Sequence, residues 1–168
     1  YISQDPIRLN GNNPTLYAYV KDSNRWVDRF GLKLLLPEAP TYSGVYHLVG
    51  ADGKKYVGSA VNIRERLESN AHPKAAEIIN SGNYTITFHE VSLGKIDPAD
   101  KENRSLVNHV LRYHEDDIFD GQGYEPNKKG VQNANRPMAD NKQTQYEEEV
   151  KKHKAHFTGK IETKTCKK

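Results

Sequence analysis

The feature that most limits how this chain can fold is a hairpin signature between Gly44 and Val57. Val45 to Val49 reads as a strand, Ala51-Asp52-Gly53-Lys54 carries strong turn chemistry, and Lys55-Tyr56-Val57 returns. Side chains alternate faces along a strand, so Tyr46 and Tyr56 share a face only if the connecting loop has an odd number of residues. A two-residue Asp52-Gly53 turn would separate them. Asn62 with Glu65 three residues on has the form of a capping box, and Ile63 with Leu67 supplies an apolar pair one turn apart, so a helix should follow the hairpin. Tyr84, Ile86 and Phe88 alternate with Thr85, Thr87 and His89, which predicts a half-buried third strand. Asp97-Pro98 is expected to open a second helix, with Leu106, Val107, Val110, Leu111 and His114 along one stripe. The stretch from Phe119 to Asp140, rich in Gly, Asn and Pro, reads as a long loop, and Gln143 to His156 as a last, mostly polar helix. The fold class expected is α/β in the α+β sense: a small, three-stranded, mostly antiparallel sheet flanked by helices.

Composition sets limits around this core. A chain of 168 residues is of single-domain scale, which excludes a large multidomain enzyme. The longest apolar run, Leu34-Leu35-Leu36, is far short of the roughly 20 residues that a membrane-spanning helix requires, so no membrane partner is expected. The one cysteine, Cys166, excludes internal disulfides and thiolate zinc clusters. With 25 Lys and Arg against 22 Asp and Glu, the net charge of +3 admits an anionic partner without identifying one. From Lys151 onward there are seven lysines and one acid, Glu162, which reads as a solvated basic tail or, more sharply, as an arm that tracks phosphates. Tyr1 to Pro6 holds neither a starting Met nor the basic and apolar regions of a secretion signal. The expectation is a piece of a longer chain whose export is signalled elsewhere.

Two sets of residues carry resemblances. Tyr1-Ile2-Ser3-Gln4-Asp5-Pro6-Ile7, Asn13-Pro14-Thr15-Leu16-Tyr17-Ala18-Tyr19-Val20 and Trp26-Val27-Asp28-Arg29-Phe30-Gly31-Leu32 occur in that order. Together they resemble the end of the core of rearrangement-hotspot (Rhs), or YD-repeat, proteins. In that family this block closes a β-cocoon shell and is the site of self-cleavage, after which a variable C-terminal toxin begins. The resemblance implies a junction just after Leu32, although Asp28-Arg29 stands where the family usually has Asp-Pro. The organisation expected is an Rhs remnant at 1–32, a proline-bearing linker at 33–43, a catalytic domain at 44–140, and a polar helix with the basic tail at 141–168.

The second set lies in the hairpin. Gly44-Val45-Tyr46, nine intervening residues, Tyr56-Val57-Gly58, and Arg66 ten residues beyond Tyr56 resemble the GIY-YIG nuclease motif. The resemblance implies metal-dependent hydrolysis of phosphodiester bonds, with Tyr46 as general base or water-positioner, Tyr56 as a second phenol near the phosphate, Arg66 as charge stabiliser, a later Glu on one Mg²⁺ or Mn²⁺, and a late Asn ordering the site. Glu102 is the expected carboxylate: it precedes Leu106 by one helical turn and so should point back toward the sheet. Of Asn127, Asn133 and Asn135, the run Asn135-Arg136-Pro137 most resembles the family's ending. Lys55 and His72 are candidate substrate contacts; Asn70 holds the position where relatives place a helix-end His.

The residue types suit that chemistry. A guanidinium of fixed charge matches a phosphate whose charge grows in the transition state, and a carboxylate suits a hard cation that keeps its waters. A phenol has an ordinary pKa near 10, so a base role for Tyr46 demands a depressed value. The bland readings are sheet tyrosines, a surface arginine, a helix-start glutamate and a strand-edge lysine. His109 and His114 are five apart, a spacing that favours packing over zinc. The expectation is therefore an interbacterial toxin that cuts DNA in the cytoplasm of a target bacterium. By family, it would be delivered by an Rhs carrier, commonly through type VI secretion, and countered by a cognate immunity protein. An RNase of the same fold and a non-catalytic binding module are the alternatives.

Overall fold

A computed structural model describes residues 38–69 and 71–167. The Rhs-like blocks, the Leu32 junction and Asn70 lie outside the described residues. In order, the elements are β1 (Gly44–Gly50), β2 (Lys55–Ala60), α1 (Ile63–Ser69), α2 (Pro73–Asn80), β3 (Tyr84–Ser92), α3 (Arg104–Gly121), α4 (Gln143–His153) and β4 (His156–Cys166). Short 3-10 turns at Lys101–Asn103 and Asp140–Lys142 lead into α3 and α4. The sheet is fully antiparallel in the order β2-β1-β3-β4. Among the described residues no helix is long and apolar enough to cross a membrane.

The central strand β1 is covered on both sides, and its alternation divides two cores. Tyr46 and Leu48 join Tyr56, Ile86 and Phe88 under α1 and α2, which contribute Ile63, Leu67 and Ile78. Val45 joins Val57 and Val91 under α3 and α4, which contribute Val107, Val110, Leu111 and Val150. A strand buried on both faces needs apolar side chains in both phases, and the Gly44–Gly50 run supplies them. Helix α1 begins as its sequence indicates: Asn62 Oδ1 accepts from the Glu65 amide at 3.2 Å.

The fold departs from expectation at three places. The sheet has four strands, because the basic tail forms β4 along β3. Its Thr and Lys residues alternate as an edge strand requires, with Thr163 and Thr165 pairing hydroxyls with Thr87 and Thr85 at 3.1 and 3.3 Å. The tail is thus part of the domain, and Cys166 sits half-buried opposite Tyr84. Helix α2 is additional to the three helices expected; Pro73 starts it, His72 caps the Lys74 amide, and Ala75, Ile78 and Ile79 face the core. Helix α3 starts at Arg104, seven residues after Asp97. The capping signals at Asp97 and Asp100 are used in turns, where their carboxylates accept from the amides of Ala99 and Glu102.

The status of the tail is open to hydrogen exchange. Alternate backbone amides between Ile161 and Thr165 are expected to be protected along with their β3 partners. A solvated tail would exchange at every position.

Candidate active site

The β1–β2 register decides what lies at the sheet edge. Tyr46 pairs with Gly58 and Leu48 with Tyr56, so both tyrosines lie on one face, as an odd loop requires. Their rings are 6.3 Å apart and inclined by 29°, and His72 stacks on Tyr56 at 5.3 Å. Gly58 is what lets the Tyr46 phenol cross β2: a Cβ there would stand 2.5 Å from the Tyr46 hydroxyl and 2.9 Å from the Tyr56 ring.

That hydroxyl enters a cleft of about 810 Å³ lined by Tyr46, Tyr56, Arg66 and Asn135, four of the expected site residues. Glu102 is absent from its lining. It sits exposed in the 3-10 turn before α3, because the helix that was to aim it at the sheet has not yet begun. Two carboxylates line the cleft, the exposed Glu65 of α1 and the half-buried Glu115, three turns into α3. Ser59 Oγ donates to Glu115 Oε2 at 2.6 Å, tying the helix to β2 from the opposite face. No local pattern marks Glu115; the signal is its position four residues beyond Leu111 at the border of the buried stripe.

Electrostatics set the resting protonation states. Burial pushes the Tyr46 phenol up to about 12, with the Arg66 guanidinium pulling the other way. Tyr46 is therefore a neutral hydrogen-bonding phenol at neutral pH, and the depression a base role demands is missing. Burial likewise pushes Tyr56 up, the neighbouring Tyr46 adding to the effect. Glu115 is pushed up to about 7 by burial, against the Ser59 hydrogen bond and the charge of Arg112. A second positive charge in the cleft would favour its ionised form.

The three candidate asparagines separate cleanly. Asn133 is buried and uses its side-chain amide as a strand, accepting from Val57 N at 3.0 Å and donating to Val57 O at 2.8 Å. Asn127 takes a left-handed backbone and donates to Ala134 O. Only Asn135 lines the cleft, carried there by its neighbour Arg136, whose Nε and Nη2 each bind the buried Asp116 carboxylate at 2.8 Å.

Lys55 lies on the other side of β2, beside the Tyr124 ring and in a separate cavity of about 210 Å³. His72 borders the site only through its stack on Tyr56. His109 and His114 take packing roles: His109 bridges to Glu149 at 2.8 Å and stacks on Tyr146, and His114 bonds Val110 O.

Among the described residues no three His, Cys, Asp or Glu side chains cluster as a ready-made metal cage. One carboxylate, held by Ser59 and facing a polar cleft, suits Mg²⁺ or Mn²⁺, which keep several waters and share phosphate oxygens. No protein-family model, curated protein or solved structure matches the chain.

The asparagine assignment is measurable by urea denaturation. Asn133→Ala strands a buried N–H and C=O on Val57 and is expected to cost about 2 kcal/mol. Asn135→Ala, at an exposed position, should stay within about 0.5 kcal/mol of the parent.

Proposed function

We propose that this domain is a metal-dependent endonuclease that hydrolyses phosphodiester bonds of DNA. The observation that carries the reading is the meeting, at one end of β2, of Tyr46, Arg66 and Glu115 from a strand and two helices on opposite faces of the sheet. Around them the cleft holds four arginines against two acids, Glu65 and Glu115, a balance that suits a polyanion.

The roles follow from chemistry and position. Arg66 stabilises the charge that accumulates on the phosphate in the transition state. Tyr46, neutral at rest, orients the attacking water through its hydroxyl, and Tyr56 holds the adjacent phosphate oxygen or leaving group. Asn135 orders the cleft wall. Glu115, in place of Glu102, is the residue that would hold the divalent ion; when bound, such an ion supplies Lewis-acid charge neutralisation and acidifies water. The Rhs-like blocks support the wider reading of a toxin released from its carrier after Leu32, acting in the cytoplasm of a target bacterium, with an immunity protein protecting the producer.

The test is incubation of the chain with plasmid DNA, and separately with total RNA, in Mg²⁺ or in EDTA. Nicking and linearisation of plasmid in Mg²⁺ alone are expected. Loss of one positioned charge donor typically costs 10²- to 10³-fold, and Arg66→Ala is expected to lose about that much. Degradation of RNA alone would replace the reading with an RNase, and no cleavage of either would leave a binding module.

A further inference from the structure

The four arginines of the cleft are not equivalent. Arg136 is consumed by Asp116 and Asp120, at 2.8 and 3.0 Å, and Arg66 stands against the Tyr46 phenol. Arg104 and Arg112 are different: both are exposed, both line the cleft, and neither forms a salt bridge or a side-chain hydrogen bond among the described residues. The acids that share the cleft leave them so. Glu115 is engaged by Ser59 and only influences Arg112 through space, and Glu65 projects from α1.

Their spacing is that of a ruler. Arg104, Asn108 and Arg112 occupy i, i+4 and i+8 of α3 and all line the same cleft, so the two charges are separated by about 12 Å along the helix axis. That length is comparable to the direct distance between phosphates about two steps apart on one strand of a duplex, since each step adds helical rotation to a rise of about 3.4 Å. Arg104 is also misplaced for the helix itself. It is the first residue of α3, whose first turn holds no acid, and a cation there opposes the helix dipole. A cation that weakens its own helix, has no partner and faces a cleft is explained by an anion that arrives from outside.

We propose that Arg104 and Arg112 form a backbone-gripping site that binds two phosphates of the DNA flanking the bond to be cut, laying the strand along α3 past Glu115. The site rests on the nuclease reading for its substrate, and it is separate from the groups that perform the hydrolysis. Asn108, neutral and between the two charges, leaves room for the intervening nucleotides without selecting a sequence. Specificity of this grip is for the phosphodiester backbone alone.

The test measures binding, independently of cleavage. A fluorescein-labelled duplex is titrated with the full chain in EDTA over a series of KCl concentrations, for the parent and for Arg104→Ala, Arg112→Ala, the double variant, and the Lys variant at each position. Each alanine should shallow the slope of log affinity against log salt by about 0.9, the double variant by about 1.8, and each lysine should restore the parent slope, since a point charge suffices for a phosphate. Both positions are exposed and Arg104 opposes the helix dipole, so the thermal unfolding temperature should not fall and loss of fold is distinguishable from loss of contact. Slopes equal to the parent's in both alanine variants would overturn the site. A chain that shows the slope changes but cuts no DNA would keep the site and remove the hydrolytic reading. Cleavage with unaltered slopes would do the reverse.

Discussion

The pairing of Tyr46 with Gly58 across β1 and β2 is the constraint on which the site depends. A phenol directly opposite a residue without a side chain can lie flat over the neighbouring strand and deliver its hydroxyl to the sheet edge. With β1 held against β3, a slip of one residue in β2 would turn Tyr56 to the α3 face and place Val57 or Ser59 opposite Tyr46 at the crossing point. The register is held from both sides, by the turn centred on Asp52, with five residues (50–54) between the paired Val49 and Lys55, and by the pairing of β1 with β3. It is also held at the outer edge, where the loop backbone pairs with Lys55 and Asn133 completes the ladder at Val57.

Helix α3 then brings the opposite face of the sheet into the same cleft. Two adjacent acids divide the work. Glu115 reaches round the end of β2 to Ser59 and faces the cleft, while Asp116 is buried and grips Arg136. A buried carboxylate is tolerable when a bidentate guanidinium pairs with it, and here that pair also carries Asn135 to the cleft wall. The same helix places Val107, Val110 and Leu111 in the second core, so the site and the fold share one element.

What the sequence made legible was local. Turn chemistry at Asp52-Gly53 and the alternation of Tyr84, Ile86 and Phe88 identified three strands, because both signals arise within a few residues. Tyr46, Tyr56 and Arg66 were expected from the resemblance of that hairpin and its helix to the GIY-YIG motif, and one cleft is lined by all three. β4 was hidden because an edge strand is made of the Lys and Thr that also compose a solvated tail. Glu102 was expected to face the sheet because Asp97-Pro98 resembles a helix start, whereas Asp97 and Asp100 cap turns and α3 begins later. Glu115 and Asn133 are defined by partners 56 and 76 residues away, and no periodicity reports a contact at that range.

The proposal that Glu115 is the carboxylate that would hold a metal is the central claim to test. Single-turnover cleavage of plasmid in Mg²⁺, compared for the parent, Glu115→Gln and Glu102→Gln, separates the two candidates. The account predicts loss of at least about 10²-fold for Glu115→Gln, the scale of one essential charged group at such a centre, and a rate near the parent's for the exposed Glu102→Gln. Equal rates for parent and Glu115→Gln, with the loss at Glu102, would contradict it.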